Sequence, residues 1–295
     1  AVTGFQTCAL PILGRVAAWL LPSFGVMIFV SLLFNVLLLS GGTVTLFRDA
    51  DTGWHIRTGE GILRNATVPA TDSYSLLHGG RQWFAWEWLA DVLDAFLFRL
   101  AGLKGVVLTA GILIVLFATI LMRRIVDAGA HLFAALLVTL LSVGSASMHF
   151  LARPHVFTLV FVSISMAIIE ADRRGANPAR IWWLVPLALL WTNLHGGFLI
   201  LIAILGLTTV GSAIEAWMQR PAGAAPDWTP ALRWAKLTTA CGAVSLINPY
   251  GWGLHLHVVE YLRSDWIRKV VQEFQSPTFR DENMLQFEEI GRAHV

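Results

Sequence analysis

The sequence predicts an all-α fold, a polytopic bundle of about seven transmembrane helices, with a large first extracytoplasmic loop that carries interfacial helices. Three observations predict it. The chain of 295 residues is 56% hydrophobic and only 14% charged, too apolar for an ordinary soluble domain. Its apolar residues gather in runs that approach the roughly 20 residues needed to cross a bilayer core as a helix. Its 13 tryptophans suit a membrane protein, because indole rings favour the lipid–water interface. The formal net charge of +2 gives no sign of nucleic-acid binding, so the expected partner is the lipid bilayer.

In chain order the runs are Val16 to Leu39, Gly105 to Met122, Leu132 to Met148, Val156 to Ile169, Ile181 to Leu194, Phe198 to Trp217 and Trp234 to Ile247. Two are short, where tilt or partial burial is expected, which sets a range of about six to eight spans. The ends look foreign. Val2 to Ile12 resembles the conceptual translation of a short-read sequencing adapter, departing from it at Phe5, and Ile290 to Val295 resembles the same adapter read on the other strand. Residues 1–12 and 290–295 are therefore expected to be non-native, with residues 13–289 forming a truncated transmembrane domain. Cys8 drops out with them, and Cys241, alone in an apolar run, forms no disulfide framework.

Short loops rich in Lys and Arg tend to stay in the cytoplasm. Arg15, Arg123-Arg124, Arg173-Arg174 with Arg180, and Arg220, Arg233 and Lys236 can all be assigned to that side. The opposite, extracytoplasmic face then receives the first loop (residues 40–104), the His149–His155 turn, the Asn193–Gly197 turn and everything from Asn248 to Phe287. Within the first loop, residues 84–103 read as a helix with Trp88, Val92, Ala95, Phe96 and Arg99 at helical spacing and Glu87, Asp91 and Asp94 on other faces. Residues 66–82, with Pro69, Asp72, Ser73 and Gly79-Gly80, read as an ordered turn region.

The outer face carries the chemistry. Asp49 and Asp51, an Asp-x-Asp pair beside Trp54-His55, are the candidate catalytic residues. They can hold a divalent cation (Mg or Mn) through hard oxygen ligands, or one can act as general base on a hydroxyl. A solvated loop or helix cap is the plain alternative. His55 either orients a carboxylate, contacts phosphate or is an interfacial ring, and Arg57 with Glu60 reads as a helix-face pair. Glu87 between two indoles is an acid behind the reacting groups, an acceptor-binding group or a polar foot of an interfacial helix. Arg153 is costly to place at bilayer depth, and its planar fork suits a phosphate, with His149 and His155 beside it. Asn193 and His195 project polar groups at a turn where Gly196-Gly197 allow close backbone approach. Glu273 to Pro277 is the last outer-face element, a lid or the start of a further domain.

With these residues in place, the chain resembles the GT-C superfamily of integral-membrane glycosyltransferases, in particular bacterial members related to dolichyl-phosphate-mannose protein mannosyltransferases. The likeness rests on Asp49-x-Asp51 followed by Trp54 to Glu60, Pro69-x-x-Asp72-x-Tyr74-Ser75, Trp86-Glu87-Trp88-Leu89, Arg153-Pro154-His155, Trp191-x-Asn193-x-His195-Gly196-Gly197, Asn248-Pro249-x-Gly251 and Glu273-Phe274-x-Ser276-Pro277. It covers residues 45–280. The resemblance implies a GT-C-like fold in a bacterial inner (plasma) membrane and a polyprenyl-phosphate-linked sugar as donor. It also implies an acceptor hydroxyl on a glycan, lipid or protein of the cell envelope, and an essential first-loop carboxylate, Asp51 or Asp49. Metal dependence stays open, since GT-C members differ in it. The chain is shorter than most members. A transporter or flippase for a lipid-linked or anionic substrate is the alternative from another class.

Overall fold

Apolar helices with polar, glycine-containing connections give an all-helical chain in the computed structural model, which describes residues 24–39, 41–175 and 178–271. The adapter-like ends, Arg15, the start of the first apolar run and Glu273 to Pro277 lie outside the described residues. The helices are α1 (Phe24–Phe34, prolonged by a π turn, Asn35–Leu39), α2 (Gly42–Leu46), α3 (Asp51–Asn65), α4 (Trp88–Ala101), α5 (Leu103–Asp127) and α6 (Leu132–Ala146). They continue with α7 (His155–Arg173), α8 (Leu184–Leu194), α9 (Phe198–Met218), α10 (Thr229–Val244), α11 (Trp252–Arg263) and α12 (Asp265–Val270). Strand pairing among the described residues is limited to one antiparallel bridge, Thr71 with Gln82.

Four helical segments are long and apolar enough to cross a membrane: Leu103–Asp127, Leu132–His149, His155–Arg173 and Phe198–Met218. Of the seven expected spans, these four reach membrane length among the described residues, and the first expected span lies partly outside them. The run at Ile181 to Leu194 breaks into a 3-10 turn and the 11-residue α8, and the run at Trp234 to Ile247 falls in α10, 16 residues long. Neither reaches the length a bilayer crossing needs. Of the most apolar window of α9 only 17% is buried, so most of its apolar surface faces outward, as a lipid-facing helix requires.

Two hydrophobic cores hold the bundle. One joins α7 to α10 and α11 through Trp191, Phe198, Leu201, Leu237 and Leu254. The other packs Leu46 and Ile56 against Val106, Ala110 and Ile114 of α5 and Val156 of α7.

The first loop is built on α3 and α4. In α3, residues 52, 55, 56, 58, 59 and 62 are buried, the three-and-four spacing of one helical face. That face meets α4 at Gly59, where an added Cβ would lie 1.8 Å from the Asp91 carbonyl oxygen. The buried residues of α4 are Ala90, Asp91 and Ala95, whereas Phe96 is 51% exposed. Asp91 turns inward where α3 offers His55, and Phe96 of the apolar set turns outward. Gly102, at φ 62, lets α5 start directly after α4. Tyr250 then pins the loop down, its hydroxyl accepting the Ala85 N–H (2.7 Å) and donating to the Pro69 carbonyl (2.8 Å).

Candidate functional site

The segment from Leu46 to Thr52 and the turn from Met148 to Arg153 are zipped together by three hydrogen bonds. Arg48 Nη2 donates to the Met148 carbonyl (2.5 Å), Ala152 N–H to the Leu46 carbonyl (2.8 Å) and Thr52 Oγ1 to the Ala152 carbonyl (2.8 Å). This register delivers Arg153 to the start of α3. Its Nη1 lies 2.8 Å from Asp49 Oδ2, and its Nη2 lies 2.8 Å from Asp51 Oδ2. The other oxygen of Asp49 accepts the Asp51 N–H at 2.9 Å, so Asp49 also caps the helix it precedes. One guanidinium fork thus bridges both carboxylates of the Asp-x-Asp pair. All three side chains remain partly exposed, at 24%, 28% and 38% for Arg153, Asp49 and Asp51.

Beneath this charged rim lies a buried layer. His195 Nε2 is 3.2 Å from Glu87 Oε1, and His55 Nε2 is 3.6 Å from Glu87 Oε2. The other ring nitrogen of His55 lies 2.6 Å from Asp91 Oδ1, with both side chains fully buried, and Trp54 stacks on the imidazole at 3.8 Å. Burial disfavours the charged form of each group. Burial, opposed by the nearby Arg153 charge, pushes Glu87 up to about 8. Asp91 is raised well above the usual carboxylate range by burial, with Glu87 adding to it. Burial first, then Arg153, lowers His55 to about 3; burial, then His155 and Arg153, lowers His195 to about 3. Burial thus favours the neutral form of each group in the inner layer, while the rim carries its ion pairs.

Of the residues singled out in the sequence, Asp49, Asp51 and Arg153 meet directly, and His55, Glu87 and His195 meet beneath them. His155 hydrogen-bonds the His149 carbonyl, and its ring lies 6.4 Å from that of His195. Asn193 sits elsewhere and acts as a tie. It accepts from Trp88 Nε1 (2.8 Å) and donates to the carbonyls of Leu189 (2.9 Å) and Ile247 (3.0 Å). Beside it, Trp88, Leu89, Pro186, Leu190 and Ile247 line an apolar cavity of about 520 Å³.

Two members of the layer carried no site assignment from the sequence: Asp91, placed there only off the apolar face of its helix, and Thr158, whose Oγ1 lies 2.8 Å from His195 Nδ1. A signal for Asp91 exists, since it stands four residues after Glu87 and shares its helical face. Nothing local marks Thr158.

A divalent cation does not fit the Asp49–Asp51 pair as arranged, because the Arg153 guanidinium occupies the position between the two carboxylates. No group of three or more His, Cys, Asp or Glu side chains among the described residues is set to hold a metal. Compared with known proteins, the chain is matched by no family model, no curated protein and no solved structure.

Proposed function

We propose that the chain is a GT-C-like membrane glycosyltransferase. It moves a sugar from a polyprenyl-phosphate-linked donor to an acceptor hydroxyl at the extracytoplasmic face, with inversion. The observation that carries this reading is the partly exposed Asp49–Arg153–Asp51 bridge at one end of a bundle of membrane-length helices. In the proposed reaction the acceptor oxygen attacks the anomeric carbon as the bond from that carbon to the phosphate oxygen breaks. The electron pair of that bond leaves on the phosphate, and the hydroxyl proton passes to Asp51. Such a transition state has oxocarbenium character. Arg153, released in part from its carboxylates by the competing phosphate, offsets the charge on the leaving group. The apolar cavity beside Asn193 suits an isoprenoid chain.

The test is transfer of radiolabel from polyprenyl-phosphate sugars in membranes containing the protein. Asp51→Asn and Arg153→Lys are expected to lower transfer by roughly a hundredfold or more, the scale of losing a general base or a charge-stabilising donor. A chelator is expected to leave transfer unchanged, since Arg153 fills the position a cation would take. Full transfer by Asp51→Asn would remove the base assignment.

The buried Glu87–His55–Asp91 group favours one second reading, a proton-coupled transporter for a lipid-linked or anionic substrate. Uptake of such a substrate into proteoliposomes, driven by a pH gradient and without transfer, would select it.

A further inference from the structure

Gly197, at the end of the Asn193–Gly197 turn, and Thr158, three residues into α7, have no role in the rim, yet they converge on one atom. Neutral imidazole carries its proton on either Nδ1 or Nε2, and the partners of one nitrogen decide the state of the other. The Gly197 N–H, which can only donate, lies 3.0 Å from His195 Nδ1. Thr158 Oγ1 lies 2.8 Å from the same nitrogen. That hydroxyl already accepts the indole N–H of Trp191 at 2.9 Å, so its own hydrogen is left for His195. With two donors aimed at it, Nδ1 has to be the bare nitrogen. The proton sits on Nε2, which faces Glu87 Oε1 at 3.2 Å.

The glycine is part of the device. A Cβ at position 197 would lie 2.4 Å from Thr158 Oγ1 and 3.0 Å from His195 Nδ1, so only glycine lets the backbone N–H approach the ring with the hydroxyl in place.

We propose that Thr158, backed by Trp191 and Gly197, is a positioning residue of the site. It locks His195 in the Nε2–H form and so holds the Glu87 carboxyl in a single orientation. Glu87 Oε1 then faces the Nε2–H of His195 at 3.2 Å. Its Oε2 lies 3.6 Å from His55 Nε2, beyond hydrogen-bond reach, and stays available to a substrate hydroxyl. The tautomer lock stands by itself, whereas the service to a substrate hydroxyl rests on the transferase reading.

The experiment records nitrogen-15 spectra of histidine-labelled protein in lipid bilayers, with the His195 signals assigned by subtraction of a His195→Gln spectrum. Transfer from a polyprenyl-phosphate sugar is measured in parallel. In wild type, His195 is expected to show a bare Nδ1 and a protonated Nε2. Thr158→Val and Gly197→Ala, which break the arrangement from opposite sides, are each expected to give a mixture of tautomers. Each is also expected to lower kcat/KM by roughly tenfold, as the loss of one orienting hydrogen bond does. Thr158→Ser, which keeps the hydroxyl, is expected to restore most of both. A protonated Nδ1 in wild type, or an unchanged tautomer in both disrupting variants, overturns the lock. A shifted tautomer with unchanged kcat/KM overturns the positioning role. A locked His195 in a wild type that transfers no sugar supports the lock and counts against the transferase reading alone.

Discussion

Arg153 and Glu87 show how one site holds a charged group beside a carboxyl whose charged form burial disfavours. The guanidinium keeps Asp49 and Asp51 paired where water still reaches them, whereas Glu87, 10% exposed, has two imidazoles as its nearest partners and feels Arg153 only from further off. A carboxyl so placed binds its proton more tightly folded than unfolded. Glu87 ordinarily titrates near 4.5 and here near about 8, so its burial costs nothing below 4.5 and destabilises the fold as pH rises through that window. His55 acts from the other side: its value falls from 6.5 to about 3, so stability is lost as pH falls through that range. Glu87→Gln, which keeps the shape without the titration, is expected to gain melting temperature over wild type progressively between pH 4.5 and 8. Melting curves in detergent across that range check it. A difference independent of pH would remove the protonated Glu87 from the account.

At the scale of elements, the α3–α4 contact depends on the absence of side chains. Gly59 faces the Asp91 carbonyl so closely that a methyl group would overlap it and come within 2.8 Å of the Ala95 Cβ. This approach brings His55 to Asp91, since both pairs lie along the same crossing. Gly59→Ala is expected to destabilise the protein by about 1–3 kcal/mol, the range for overpacking a tight contact. Gly61 lies in the same helix with nothing within 4 Å of its Cβ position. Gly61→Ala is therefore expected to stabilise by roughly 0.5–1 kcal/mol through helix propensity alone. Paired denaturation curves decide the matter: equal effects at the two positions would contradict the close crossing.

At the scale of the whole molecule, the two ends of the bundle are chemically distinct. One end gathers the first loop, the Met148–Arg153 turn and the Asn248–Gly251 turn around the site. The other is knitted by Arg124 with Glu170 (2.5 Å), Arg233 with Asp172 (2.5 Å) and Arg173 with Glu215 (3.7 Å). If the basic end faces the cytoplasm, single cysteines at His78 and Gly223 lie on opposite sides of the membrane. A membrane-impermeant thiol reagent added to spheroplasts is expected to label His78→Cys and spare Gly223→Cys until the membrane is opened. The reverse pattern would invert the topology and place the site on the cytoplasmic side.

Composition and periodicity were enough for the all-helical class, the four long spans and the helix-face pair Arg57–Glu60, which closes at 2.8 Å. These are local properties, set by runs of apolar residues and by the pitch of one helix. The candidate site was legible as a list of residue types on one face, but its pairings were not. Asp49 and Arg153 stand 104 residues apart, and hydrogen bonds and core packing between the Leu46–Thr52 and Met148–Arg153 segments bring them together. The inward turn of Asp91 was hidden for a related reason: an acidic residue on an amphipathic helix reads as solvent-facing until a partner is known to wait for it. Thr158 carries no signal of its own, because a hydroxyl gains direction only from the indole behind it and the imidazole in front. Sequence by itself determined which segments are helical and apolar. Only the tertiary structure decided which polar atoms face each other, because hydrogen bonds and ion pairs depend on distances of a few ångströms between residues far apart in the chain.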